Sequence, residues 1–149
     1  MTILEKLDSD IKEAMKARQT DRLAAVRLIK ATVKNKEIEL IRPLSEPEFF
    51  ATLATMTKQR HESIEQFKKG NRNDLAAIEE KELEVINSYL PKSLSDLEVD
   101  SMISAAITKV GAKTPKEMGL VMKELKEKTA GRVDGKILSD KVRAKLSSI

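Results

Sequence analysis

The chain contains no cysteine and no tryptophan. The first absence rules out disulfides, thiolate metal sites and a cysteine nucleophile. Aromatic residues make up only 3%, so the core must be aliphatic. A core of Leu, Ile, Val, Met and Ala favours helix, because sheets normally carry more Val, Tyr, Phe and Thr. There is a single histidine, His61. No apolar run approaches the ~20 residues that span a bilayer. The opening "MTILEKLDSD" reads as a polar helix start, without the apolar segment and cleavage site of a secretory leader. These absences predict a cytoplasmic protein that does not engage a membrane. Glycine is scarce too. Of only five, three (Gly119, Gly131 and Gly135) fall within residues 118–146.

Charge is what the chain has in quantity. Charged residues make up 35% of its 149 residues and apolar ones 40%, a soluble globular composition long enough for one domain or two small ones. The net charge of +4 is unevenly spread. From Lys109 to Lys145 there are 11 Lys and Arg against 5 Asp and Glu, while the rest of the chain has 17 against 19. A localised basic stretch suggests an anionic partner. A solvated helix surface is the other reading of the same pattern.

Helix signals recur from end to end. Thr2 and Glu5 form a capping box before Ile3, Leu7, Ile11 and Met15. A second helix starts near Thr20 or Asp21, carries Leu23, Val26, Ile29 and Val33, and stops before Pro43. Ser45 and Glu48 cap a third, with Pro47 in its first turn and Phe49 or Phe50, Leu53, Met56, Ile64 and Phe67 inward. Gly70 is placed to end it in a left-handed conformation. A fourth, capped by Asn73 or Asp74, offers Leu75, Ile78, Leu83, Ile86 and Leu90. Short connections between one-sided helices predict an N-terminal four-helix bundle over residues 1–91.

Pro91 marks a boundary. Ser95 and Glu98 cap a new helix with Leu97, Met102, Ile103, Ala106 and Ile107, closed by Gly111. Thr114, Pro115 and Glu117 start another, which carries Met118, Val121, Met122 and Leu125 to about Thr129. Gly131 stops it, and Asp134 caps a last helix with Ile137, Leu138, Val142 and Leu146. The expectation is an all-α chain whose residues 92–149 form a small three-helix domain. Gly119 lies within a helix, where it costs ~1 kcal/mol relative to Ala. Close approach of another helix, or of a ligand backbone, would explain it.

Catalytic chemistry is hard to assemble from these residues. His61 has Glu62 beside it and Glu65 one turn on, but zinc needs more ligands than that. There is no nucleophile elbow. "GRVDGK" has the wrong spacing for a phosphate-binding loop and begins no βα unit. The sequence therefore names no catalytic residue, no metal ligand and no cofactor. Binding is easier to build. Arg132 and Lys136 flank the start of the last helix, where backbone amides and the helix dipole can hold a phosphate unless Asp134 takes the donors. Lys123 and Lys126 share one helix face, Lys141 and Lys145 another, with Lys128 and Arg143 nearby. Cations without stacking aromatics favour shape reading of folded RNA over reading of single strands. Arg27, Lys30 and Lys34 form a second basic run, which reads as a solvated flank.

"KQRHESIEQFKKGNRNDLAAIEEKELEVINSYLP" at 58–91, "MGLVMKELKEKTAGRVDGKILSDKVRAKL" at 118–146 and "RLAAVRLIKATVKNKEIE" at 22–39 resemble the YqeY-like family. The C-terminal half is similar to the tail domain of the GatB chain of the tRNA-dependent amidotransferase. The resemblance implies an N-terminal helical bundle and a small three-helix domain that contacts the outer body of tRNA. Family members carry the label of carbon–nitrogen ligase with glutamine as amide donor, yet the amidase and ATP-using parts belong elsewhere in that enzyme. The leading expectation is thus a non-catalytic protein binding tRNA or a tRNA-associated complex through Lys123, Lys126, Lys128, Arg132, Lys136, Lys141 and Arg143. An accessory factor in carbon–nitrogen ligase chemistry and a protein–protein adaptor are the alternatives. The oligomeric state stays open.

Overall fold

The computed structural model describes residues 1–149 and contains helices and no strand. The chain divides into two compact units, Met1–Leu90 and Pro91–Ile149.

The first unit holds four helices: α1 (Ile3–Lys16), α2 (Thr20–Leu40), α3 (Glu46–Lys69) and α4 (Asn73–Tyr89). Both expected capping boxes form. The Thr2 and Ser45 hydroxyls accept from the Glu5 and Glu48 amides, and each glutamate accepts a bond from the cap amide in return. Such caps satisfy amides that have no partner inside the helix. α1 packs on α2, α2 on α4 and α3 on α4. The apolar stripes meet in one core of Leu7, Val26, Ile29, Val33, Leu44, Phe49, Leu53, Met56 and Ile86. Burying one such Leu side chain is worth about 2 kcal/mol. Between α3 and α4, the Arg60 guanidinium lies 3.1 Å from Glu79 and 2.8 Å from Glu82. The Tyr89 hydroxyl, on α4, donates to Asp10 on α1 at 2.5 Å.

The helix ends depart from expectation in an instructive way. Gly70 is not left-handed; its φ is −87°, and Asn71 takes the positive φ of 57° instead. The Arg72 amide then bonds the Phe67 carbonyl and the Asn71 amide the Lys68 carbonyl, the two crossed bonds of a Schellman turn. Asn tolerates this conformation, so the turn does not need glycine there. The same device ends α2, where Ile41 has φ 57°. α4 has no side-chain cap from Asn73 or Asp74; Asp74 pairs with Arg72 instead. Met15 and Ile78, expected inward, are exposed, and Ala14 and Ala76 hold the buried positions.

The second unit holds α5 (Asp96–Val110), a single 3₁₀ turn at Pro115–Glu117, α6 (Met118–Thr129) and α7 (Gly135–Ser147). Ser95 and Glu98 form the expected capping box, and Gly111 closes α5 with φ 71°. Thr114 precedes the 3₁₀ turn without a side-chain cap bond, and Glu117 accepts from the Lys113 amide. Val99, Ile103, Ala106 and Ile107 of α5 meet Val121 and Leu125 of α6 and Leu138, Val142 and Leu146 of α7. Leu97 and Ile137, expected in this core, are exposed. Leu97 lies two residues from Val99, about 200° round the helix, and Ile137 is one step from Leu138, so each misses the buried stripe.

Candidate nucleic-acid interface

The second unit has 12 Lys and Arg against 8 Asp and Glu, and the first has 16 of each. The whole net positive charge therefore belongs to the second unit. Its candidate cations fall into three groups by what they touch.

On α6 the buried face is Val121, Leu125 and Thr129. Gly119, Lys123 and Lys126, at i, i+4 and i+7, lie exposed on the other side. A Cβ at Gly119 would meet no atom within 4 Å. No other part of the chain packs there, so the helix-packing reason for this glycine is absent. It leaves a bare patch of backbone beside two lysines that pair with no carboxylate. Lys136, on α7, is also exposed and unpaired through its ammonium. These three cations are free.

Lys128 and Arg143 sit in exposed pairs. Lys128 lies 3.3 Å from Glu124, which also holds Lys109 of α5 at 2.7 Å. Hydrogen bonds from Lys109 and then Lys128 keep the Glu124 carboxyl below its usual range. Arg143 lies 3.4 Å from Asp140, one turn back. Exposed pairs of this kind contribute little and are screened by salt.

Arg132 and Lys141 are built into the fold. Arg132 Nε donates to the Lys92 carbonyl at 3.3 Å, and its own carbonyl accepts from the Leu94 amide at 2.9 Å. It fastens the segment of chain leading into α5. Lys141 lies 3.2 Å from Asp100 and 3.6 Å from Asp96, both on α5, and is only 28% exposed. The hydrogen bond to Asp100 leads the causes that raise its pKa. Sequence spacing alone does not reveal this: α5 lies some forty residues away along the chain.

The turn before α7 follows the sequence expectation in part. Gly131 has φ 72° and ends α6. Asp134 caps α7, its Oδ1 accepting from the Lys136 amide at 2.8 Å and the Ile137 amide at 3.3 Å. Two of the amides considered for a phosphate are thus already satisfied. A Cβ at Gly135 would meet nothing within 4 Å. Sequence reasoning also misses Lys113 and Lys116, exposed and unpaired just before α6. Their place in a connecting segment gives no periodic signal.

Elsewhere, Lys30 pairs with Asp8 at 2.5 Å, while Arg27 and Lys34 stay unpaired. His61 is exposed, and Glu65 one turn on is held by Lys69 at 3.1 Å. No group of three or more His, Cys, Asp or Glu residues is placed to hold a metal. An open groove of about 500 Å³ on α3 is lined by Gln59, Glu62, Ser63, Gln66 and Phe67, with no cation to attract an anion.

The Yqey-like protein family matches residues 4–146, and the chain belongs to it. Three proteins named "Altered inheritance of mitochondria protein 41, mitochondrial" are similar to this chain. The one from Lachancea thermotolerans is 35% identical over 112 residues, which cover 73% of this chain and 60% of that protein. That from Candida glabrata is 31% identical over 149 residues, covering 99% and 79%, and that from Clavispora lusitaniae 33% over 132, covering 86% and 76%.

These names overturn the cytoplasmic expectation, since the relatives are mitochondrial proteins. That expectation rests on missing cysteines and a missing apolar leader. Neither bears on the point, because mitochondrial leaders are amphipathic and Arg-rich rather than apolar. No helix is long and apolar enough to cross a membrane.

Proposed function

We propose that this protein binds a structured RNA, with tRNA as the first candidate, through the second unit, and that Lys123, Lys126 and Lys136 make the leading phosphate contacts. The observation that carries this reading is the outer face of α6. It presents two unpaired lysines and the bare backbone of Gly119, on the unit that holds all the net positive charge. A phosphate backbone approaches such a face closely without displacing an existing ion pair. Lys128 and Arg143 join by exchanging exposed carboxylates for phosphates. Arg132 and Lys141 act indirectly by holding the segment before α5, and α5 itself, in place. The few stacking residues favour recognition of shape over sequence.

The test is fluorescence anisotropy of labelled tRNA with the full chain and with the double variant Lys123→Ala, Lys126→Ala. Each lost phosphate contact flattens the log–log salt slope by roughly 0.7–0.9. The double variant should weaken binding and flatten the slope by about 1.5. A control double variant, Lys12→Ala with Lys16→Ala on the first unit, should leave both unchanged. Equal loss from the two double variants would reduce the effect to net charge and end the site assignment.

A further inference from the structure

The proposed RNA interface makes no use of the outer face of α2. α2 buries Ala25, Val26, Ile29 and Val33. Its opposite side is not a plain polar surface. Ile38 is 71% exposed and Ile41 90% exposed. On the helix itself, Arg27 and Lys34 form an exposed cationic row at seven-residue spacing, and Ile41 lies just past the helix end in a left-handed conformation. Ala31 and Ala24 continue the row of Ile38 at the same spacing. A row of small and apolar side chains, Ala24, Ala31 and Ile38, thus lies beside a row of two cations three residues along.

The end of this face is held rigidly and at a cost. Ile41 is β-branched and sits at φ 57°, a conformation that such a side chain avoids. The surrounding structure enforces it. Arg42 grips Glu48 with two guanidinium bonds, at 2.9 and 2.6 Å, and the Glu37 carboxylate accepts from the Leu44 amide at 2.8 Å. Leu44 is buried. The result is an isoleucine turned to solvent and locked there. Strain of this kind persists where the rest of the structure over-determines it and is concentrated at functional sites.

Charge selects the occupant. Arg27 and Lys34 have no carboxylate partner, whereas Lys30 and Lys36 on the flanks are paired with Asp8 and Glu39. A second copy of this face would set cation against cation, in parallel or antiparallel register. A helix with an apolar row beside an acidic row fits both features. We infer that the outer face of α2, from Arg27 to Ile41, docks an acidic amphipathic helix of a partner protein.

The test uses the full chain and a labelled alanine-based peptide of about four heptads with a leucine row beside a glutamate row. A matched peptide carries lysine for glutamate. Anisotropy should show the acidic peptide binding at least tenfold more tightly than the basic one. The double reversal Arg27→Glu, Lys34→Glu should invert that preference, which a merely unfolded variant cannot do. Ile41→Gly relieves the strained φ, so it should raise the melting temperature while weakening the acidic peptide about tenfold. Equal binding of both peptides, or no inversion, overturns the inference. So does dimerisation of the chain through this face, or binding of anionic phospholipid vesicles with the same dependence on Arg27, Lys34 and Ile41.

Discussion

Ile41→Gly is the sharpest probe of how the first unit is held. Ile41 has φ 57° and ψ 36° and is 90% exposed. Truncating it therefore uncovers almost no buried apolar surface. A left-handed conformation costs an L-residue roughly 1–2 kcal/mol. Glycine removes that cost but gives the unfolded chain more freedom, an opposing effect of about 0.4–1 kcal/mol. The expected net is a stabilisation of about 0.5–1 kcal/mol, which for a domain of this size is a rise of a few degrees in melting temperature. The Schellman bonds from Ile41 and Arg42 are backbone bonds and survive the change. Urea unfolding followed by circular dichroism gives the number directly, with the midpoint shifting at constant slope. A destabilisation of about 1 kcal/mol or more, the range of a real packing loss, would mean that the Ile41 side chain does packing work absent from the structure, and the strain argument would fail.

Gly119→Ala should stabilise the second unit by up to about 1 kcal/mol, and Gly119→Leu should leave its fold intact, because nothing lies within 4 Å of the added Cβ. Loss of cooperative melting in either variant would refute this. Tyr89→Phe should cost about 1–2 kcal/mol at neutral pH, since it removes a hydroxyl bond to the Asp10 carboxylate. Burial, then the bond to Asp10, raise the Tyr89 pKa above its ordinary 10.0. The stabilisation is thus whole below pH 10 and is lost as pH rises beyond it, so wild type and Tyr89→Phe should converge in stability under alkaline conditions. A difference that stays constant through that range would contradict the assignment. Limited proteolysis should cut first between residues 90 and 95, leaving a helical 1–90 fragment. Arg132→Ala, which frees the Lys92 carbonyl, should speed that cut several-fold with unchanged helical content. Equal cleavage rates would mean that Arg132 does not fasten the segment.

Much of this fold is legible in the sequence because its signals are local. Thr2–Glu5, Ser45–Glu48 and Ser95–Glu98 each form the capping box that their spacing announces, and Gly111 and Gly131 end helices with positive φ. The left-handed turns at Arg18, Ile41 and Asn71 are not legible, since only one of the three residue types favours that conformation. Periodicity overstates the core where apolar residues stand close together, as at Leu97 and Ile137, because one step along a helix is a 100° turn. The site divides the same way. Lys123 and Lys126 share a face by spacing alone. That Lys141 serves Asp96 and Asp100, and Arg132 the Lys92 carbonyl, depends on which helix lies alongside, and seven candidate cations become three free ones only when the partners are seen. The open face of α2 reads as a flank because Arg27, Lys30 and Lys34 look alike in sequence. Only Lys30 has a partner.

The salt dependence of tRNA binding by the unmodified full chain tests the central proposal most directly. Three phosphate contacts from Lys123, Lys126 and Lys136 correspond to a log–log slope of roughly −2 to −3. A linear fall of log affinity with log salt at about that slope would support the interface. No measurable affinity at low salt, or an affinity that does not change with salt, would contradict it and leave the cations of α6 and α7 as a solvated surface.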